Sequence, residues 1–164
     1  MRMARRIGFF GMPSGIVLFD KDKGGDQTRV TGGFTGGSGS DCVRITVSSS
    51  RIDCYHWRND NEKNDATLRT TSKIDFAKLK TLYVRRTRTS GWGGSSCNYA
   101  IPVLRIMNGS TRLAQVSLGA GYAQQDIALD VTALTGKYTV QIFLGGSLNI
   151  SQTVHTYITK IWGE

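Results

Sequence analysis

Apolar and polar residues alternate with a period of two along most of this chain. Ile127, Leu129 and Val131 alternate with Ala128, Asp130 and Thr132, and Tyr138, Val140, Ile142 and Leu144 resume the alternation after Thr135-Gly136-Lys137. That pattern predicts two strands around a tight corner, the second returning its apolar set to the core used by the first. Val43, Ile45 and Val47 alternate in the same way with Arg44, Thr46 and Ser48. Residues 101–107 and 113–118 flank Asn108-Gly109, the dipeptide best suited to a tight hairpin turn, and are expected to pair as neighbours. Further strands are expected over 16–20, 52–57, 67–72, 81–89 and in a last segment over 148–162. Residues 27–35 form another extended segment, running into the glycine tract 36–40.

No stretch carries the 3.6-residue period of an amphipathic helix of ordinary length, and 73–80 is long enough only for a turn or corner. The expectation is an all-β chain: a jelly-roll-like antiparallel β-sandwich of about nine to eleven short strands. Composition agrees, because 20 glycines among 164 residues, about 12%, with only two prolines, indicate many tight turns rather than linkers. The length suits one domain, placed over 16–164. Residues 1–6 are basic and 7–12 apolar, but that apolar stretch is too short and interrupted for a secretory signal, so 1–15 is read as a basic N-terminal arm. No run approaches the ~18 apolar residues of a membrane span.

Charge and cysteines narrow the setting. The net charge is +9, and residues 1–90 hold 17 Lys/Arg against 9 Asp/Glu while 91–164 hold 4 against 3. Such asymmetry suits an anionic partner, an acidic neighbouring subunit or a solvated surface. Cys42, Cys54 and Cys97 are odd in number and show no paired spacing, which argues against a disulfide framework and for folding in a reducing compartment.

Several chemistries can be set aside. Gly136-Lys137 runs into Tyr138 and lacks the earlier glycine of a phosphate-binding loop. The cysteines, His56 and His155 are scattered, whereas zinc needs converging ligands. Calcium on Asp20, Asp22 or Asp26 stays open, since hard oxygen ligands leave little spacing signature, and the metal content is unknown at this stage. No nucleophile elbow is present, and Asp130, the best-placed acid for glycoside hydrolysis, is better explained as a turn cap. The chain is expected not to be an enzyme.

Gly25-Asp26 with Val30-Thr31-Gly32-Gly33-Phe34, then Ile74-Asp75-Phe76, then Asp130-Val131-Thr132-Ala133-Leu134-Thr135-Gly136-Lys137-Tyr138, and Tyr157-Ile158-Thr159-Lys160-Ile161-Trp162 make a recognisable series. Over 16–164 it resembles the tail-associated domains of bacteriophages and prophages, which look like carbohydrate-binding-module jelly rolls. Phe34 stands where that family more often has Trp, and the arginine-rich arm lies outside the likeness. The resemblance implies a non-enzymatic structural or adhesion protein of the virion tail, made in the bacterial host cytoplasm. Its partners would be other virion proteins and further copies of itself in a homo-oligomer. It also implies, as an alternative, a glycan-binding module for host cell-surface polysaccharide. A second alternative, nucleic-acid binding, uses the basic first half and is the less favoured reading.

Two residue sets follow. Trp92, Tyr99, Tyr55 and Trp57 are candidate platforms for a sugar, whose C–H faces stack on rings. Arg85, Arg86 and Arg88, with Lys78 and Lys80 before them, form the densest basic run of the folded part, with the arginines expected beyond the edge of the core.

Overall fold

The structure is a computed structural model that describes residues 15–27, 43–56, 64–90, 101–146 and 153–164. The N-terminal arm up to residue 14, all but the start of the segment 27–35, the glycine tract 36–40, Trp57, Trp92, Tyr99, Cys42 and Cys97 lie outside the described residues.

Among the described residues there are twelve strands: β1 (Ile16–Asp20), β2 (Gly25–Asp26), β3 (Val43–Val47), β4 (Ile52–His56), β5 (Asn64–Arg69), β6 (Ile74–Asp75), β7 (Thr81–Ser90), β8 (Val103–Asn108), β9 (Thr111–Ser117), β10 (Gln125–Asp130), β11 (Lys137–Gly146) and β12 (Val154–Gly163). The excess over the expected nine to eleven comes from β2 and β6, each only two residues long. Helical structure among the described residues is confined to one 3-10 turn, Lys21–Lys23.

Two antiparallel sheets form a sandwich. The seven-stranded sheet runs β10-β7-β12-β1-β2, and β12 divides its second edge: residues 154–158 pair with β4, which carries β3, and residues 160–163 pair with β1. The five-stranded sheet runs β5-β11-β8-β9, with β6 beside the start of β11. The inward residues of both, among them Ile45, Ile52, Leu82, Leu104, Ile142 and Ile158, make one apolar cluster. Alternation along each strand puts every second side chain into that cluster, and its burial is the dominant stabilisation of such a fold.

The expected corner is present and joins the two sheets rather than two strands of one. Asp130 ends β10 in the seven-stranded sheet, and Lys137 begins β11 in the other. Asp130 Oδ1 accepts from the Thr132 backbone N–H at 2.9 Å and also from the Thr132 hydroxyl, so its carboxylate caps the turn. The Val131 N–H donates to the Lys80 carbonyl, and the Phe76 N–H to the Gly136 carbonyl, which ties the corner to residues 73–80. In that segment Phe76 and Leu79 close the end of the core. The β8–β9 hairpin turns at Asn108-Gly109 as expected, with Gly109 at φ +61.

One β-bulge in β12 decides what the seven-stranded sheet presents. The pairing with β7 slips between Ile158 and Lys160, so His155 and Tyr157 before it and Lys160 and Trp162 after it all avoid the core. Without the extra residue, strict alternation would have sent Trp162 inward whenever Tyr157 faced outward.

Candidate binding site on the outer face of the seven-stranded sheet

The register of three strands assembles an aromatic row on the outer face. Arg44 of β3 lies opposite Tyr55 of β4, and Tyr55 lies opposite His155 of β12. The Arg44 guanidinium carbon is 4.3 Å from the Tyr55 ring centroid, the Tyr55 and His155 rings are 5.0 Å apart, and the His155 and Tyr157 rings stack at 5.4 Å. Arg51, in the β3–β4 turn, places its guanidinium 4.2 Å from the Tyr157 centroid. The order is therefore Arg44, Tyr55, His155, Tyr157, Arg51. His155 Nδ1 meets both Asp53 carboxylate oxygens at 2.9 and 3.1 Å, which orients the ring in the row.

A second aromatic pair lies at the other end of β12. Trp162 is opposite Tyr83, and their rings stack at 5.1 Å with planes 15° apart. Ile16, Val17 and Gly163 line an open hollow of about 350 Å³ beside the Trp162 indole, whose Nε1 donates to Glu164 Oε1 at 3.1 Å.

A charged row separates the two aromatic groups. Asp20, Lys160, Arg85 and Asp126 lie opposite one another on β1, β12, β7 and β10. Lys160 Nζ is 3.4 Å from Asp20, and Arg85 binds Asp126 through Nε and a terminal nitrogen, both at 2.7 Å. This two-pronged bond holds the Asp126 carboxyl below its usual range and raises the Arg85 guanidinium. Burial tends to raise the Asp20 carboxyl, but the Asp22 backbone N–H and Lys160 together outweigh it, and its pKa falls.

The outer face of the five-stranded sheet is different in kind. Its ring is Phe143, covered by the Arg105 guanidinium at 3.6 Å, and Gln141 beside it accepts from Arg69 with the amide turned to suit.

The two residue sets expected from sequence fare unequally. Tyr55 stands in the aromatic row, whereas Trp57, Trp92 and Tyr99 are outside the described residues. The basic run is divided by the strand. Lys78 and Lys80 are exposed in the β6–β7 connection and Arg85 reaches the outer face, but Arg86 and Arg88 are buried on the inner face, 0% and 1% exposed, not beyond the core edge as expected. Arg86 donates from Nε to the Leu118 carbonyl at 2.6 Å, and through its terminal nitrogens to the carbonyls of Gly121 and Ala123 and to Gln125 Oε1. Arg88 donates to the Ala120 carbonyl at 3.1 Å. Segment 118–125 therefore wraps two buried cations in neutral oxygens. Burial pulls the Arg86 guanidinium below its ordinary value, and the charge on Arg88 adds to the effect.

Asp20, Asp22 and Asp26 do not converge. Asp20 is held by Lys160 and the Asp22 N–H, and Asp22 pairs with Lys21. Among the described residues no three His, Cys, Asp or Glu side chains come together. No helix among them is long and apolar enough to cross a membrane.

His155, Tyr157, Tyr83 and Trp162 were not singled out from sequence. Val154 and Ile158 mark the inward face of β12, so the alternation already sends His155 and Tyr157 outward; only the bulge that brings Trp162 to the same face leaves no sequence signal.

No protein-family model matches this chain, and no curated protein matches its sequence. Solved structures do share its fold. The glycoside hydrolase domain of Endo-D from Streptococcus pneumoniae R6 aligns with 80% of the chain at 12% identity and a TM-score of 0.57, and the chain spans 21% of that structure. A variant of a family 29 carbohydrate-binding module, complexed with cellulohexaose, aligns over 92% of this chain and 89% of its own at 10% identity and a TM-score of 0.51. Another family 29 module aligns over 92% and 87% at 12% identity and a TM-score of 0.50. At these identities the likeness is one of fold: the chain is a jelly-roll β-sandwich of the kind seen in carbohydrate-binding modules.

Proposed function

We propose that this chain is a non-catalytic glycan-binding module whose binding face is the outer face of the seven-stranded sheet. The observation that carries the reading is the in-register row Tyr55, His155, Tyr157, rings held side by side on a rigid sheet and flanked by hydrogen-bonding groups. Sugar rings pack their C–H faces on such rings while Arg, Asp and His side chains meet the hydroxyls. A sheet holds the rings in place before the ligand arrives, which lowers the ordering cost of binding. The fold supports the same reading, since a module of similar fold is solved with cellulohexaose bound.

The tail-associated setting, with virion partners and self-assembly, rests on the sequence resemblance alone and takes second place. Nucleic-acid binding through the basic first half loses the support of its densest run, because Arg86 and Arg88 are enclosed and Arg85 is paired with Asp126. Trp57, Trp92 and Tyr99 remain in the proposal as further ring donors.

The test is retention on a panel of immobilised bacterial and plant polysaccharides by affinity electrophoresis. Tyr55→Ala and Tyr157→Ala are expected to lower retention at least tenfold with an unchanged melting curve. Retention lost instead through Phe143→Ala, with both tyrosine variants unaffected, would move the site to the five-stranded sheet and overturn this assignment. Trp57→Ala, Trp92→Ala and Tyr99→Ala in the same gels decide whether those rings contribute.

A further inference from the structure

We infer that the glycan bound on this face is acidic, its carboxylate or phosphate groups gripped by Arg44 and Arg51 at the two ends of the aromatic row. The inference rests on the glycan-binding reading and deepens it by naming the ligand's charge. Its basis is the contrast among the four Lys and Arg side chains that the described residues place on the outer face. Lys160 and Arg85 are each matched to a carboxylate by strand register, Asp20 at 3.4 Å and Asp126 at 2.7 Å. Arg44 and Arg51 have no carboxylate partner among the described residues; each lies over a tyrosine ring of the row instead, at 4.3 and 4.2 Å. A guanidinium held on a ring is positioned without being neutralised, and its N–H groups stay available for a carboxylate or phosphate.

The acid nearest the row strengthens the contrast. Asp53 faces the same side, but its carboxylate is held at His155 Nδ1 and forms no ion pair with either arginine. A neutral sugar can take hydrogen bonds from a guanidinium but gives no role to the uncompensated charge of two of them at the ends of the row. A sugar chain charged at intervals uses both features: rings under its C–H faces and a guanidinium at each end. Nucleic acid fits less well. With Arg86 and Arg88 buried and Arg85 and Lys160 each paired with a carboxylate, this face lacks the continuous basic track that a phosphate backbone follows.

The experiment is titration calorimetry of the full chain against polygalacturonate, its fully methyl-esterified form, a glycerol-phosphate teichoic acid, cellohexaose and a single-stranded oligonucleotide, each at low and at 0.5 M salt. Polygalacturonate or the teichoic acid is expected to bind at least tenfold more tightly than the neutral ester at low salt, with the gap closing in high salt. Whichever of the two is tighter identifies carboxylate or phosphate as the charged group. Arg44→Gln and Arg51→Gln are expected to remove most of the gap, weakening the acidic ligand by a clearly larger factor than the ester, with the melting temperature unchanged. Equal binding of acid and ester, or a gap that survives both substitutions, overturns this inference and leaves glycan binding standing. No binding of any of the four saccharides overturns the glycan reading itself. An oligonucleotide bound more tightly than every saccharide overturns both.

Discussion

The Nε of Arg86 donates to the carbonyl of Leu118 at 2.6 Å, across 32 residues of sequence, and holds a cation inside a β-sandwich. The same guanidinium bonds the carbonyls of Gly121 and Ala123 and the side chain of Gln125, so one buried side chain sets the path from β9 to β10. Arg86→Ala strands those acceptors and opens a cavity, and is expected to cost about 3–5 kcal/mol. Arg86→Lys should recover little, because an ammonium lacks the fork that spans four acceptors. Urea unfolding of both variants checks this; an Arg86→Lys variant as stable as the parent would refute it.

Gly24 and Gly25 separate two costs of a side chain. Both have left-handed backbone, φ +81 and φ +97. A Cβ at Gly24 meets nothing within 4 Å, whereas at Gly25 it would lie 2.9 Å from the Ser49 Cα and carbonyl oxygen. Gly24→Ala is expected to lose about 1 kcal/mol from backbone strain alone, and Gly25→Ala roughly 2–3 kcal/mol because backbone must also shift. Equal losses in denaturant titrations would show that the clash is relieved freely.

Stability is expected to fall on acidification before the carboxylates titrate. His56 is 1% exposed, neither ring nitrogen has a hydrogen-bond partner among the described residues, and burial, reinforced by the charge on Arg88, pulls its pKa down to about 4. A histidine whose folded pKa lies below its unfolded value of 6.5 binds more protons when unfolded. The neutral form's contribution is therefore complete above about pH 6.5 and disappears as the pH falls to 4, on the order of 3 kcal/mol in all. The lowered Asp20 and Asp126 carboxyls act at more acid pH. His56→Leu should flatten the profile between pH 6.5 and 4, measured by urea midpoints; a slope unchanged in that variant would assign it elsewhere.

The Arg85–Asp126 pair is well formed yet is expected to matter little for folding. Both side chains are more than a third exposed, 37% and 39%, so water screens the attraction. A double-mutant cycle with alanine at both positions should return a coupling of about 1 kcal/mol or less. A coupling several times larger would show that the outer face is drier than its exposure indicates.

Cys54 is expected to resist alkylation. It is a free thiol, 2% exposed on the inner side of β4, and burial, with Asp53 adjacent, raises its pKa well above the usual thiol value. Peptide mapping after iodoacetamide treatment should find Cys54 unmodified in native protein and modified after urea. Rapid native labelling would mean that β4 opens.

The class of fold was legible because alternation is local. Ile127, Leu129 and Val131, or Ile45 with Val43, declare a buried face from their own neighbours, and Asn108-Gly109 declares its turn. The role of Asp130 was legible for the same reason, since the Thr132 groups it binds are two residues away. In β7 the alternation puts Arg86 and Arg88 in phase with Leu82 and Val84, but their charge led to the expectation that they lie beyond the core edge, and the structure buries them instead.

That phase could not supply the means by which a core accepts them: oxygens from segment 118–123 and Gln125, more than 30 residues away, which only the folded chain brings within reach. The candidate site was hidden for a related reason. Tyr55 was visible on its strand, but its place between Arg44 and His155 depends on the register of β3, β4 and β12, and Trp162 joins that face through a bulge. By itself the sequence determined that this protein is a β-sandwich with tight turns, because side-chain periodicity follows from the geometry of one strand. Which rings and charges stand together was decided by strand pairing, a property of residues distant in sequence whose contacts exist only once the chain has folded.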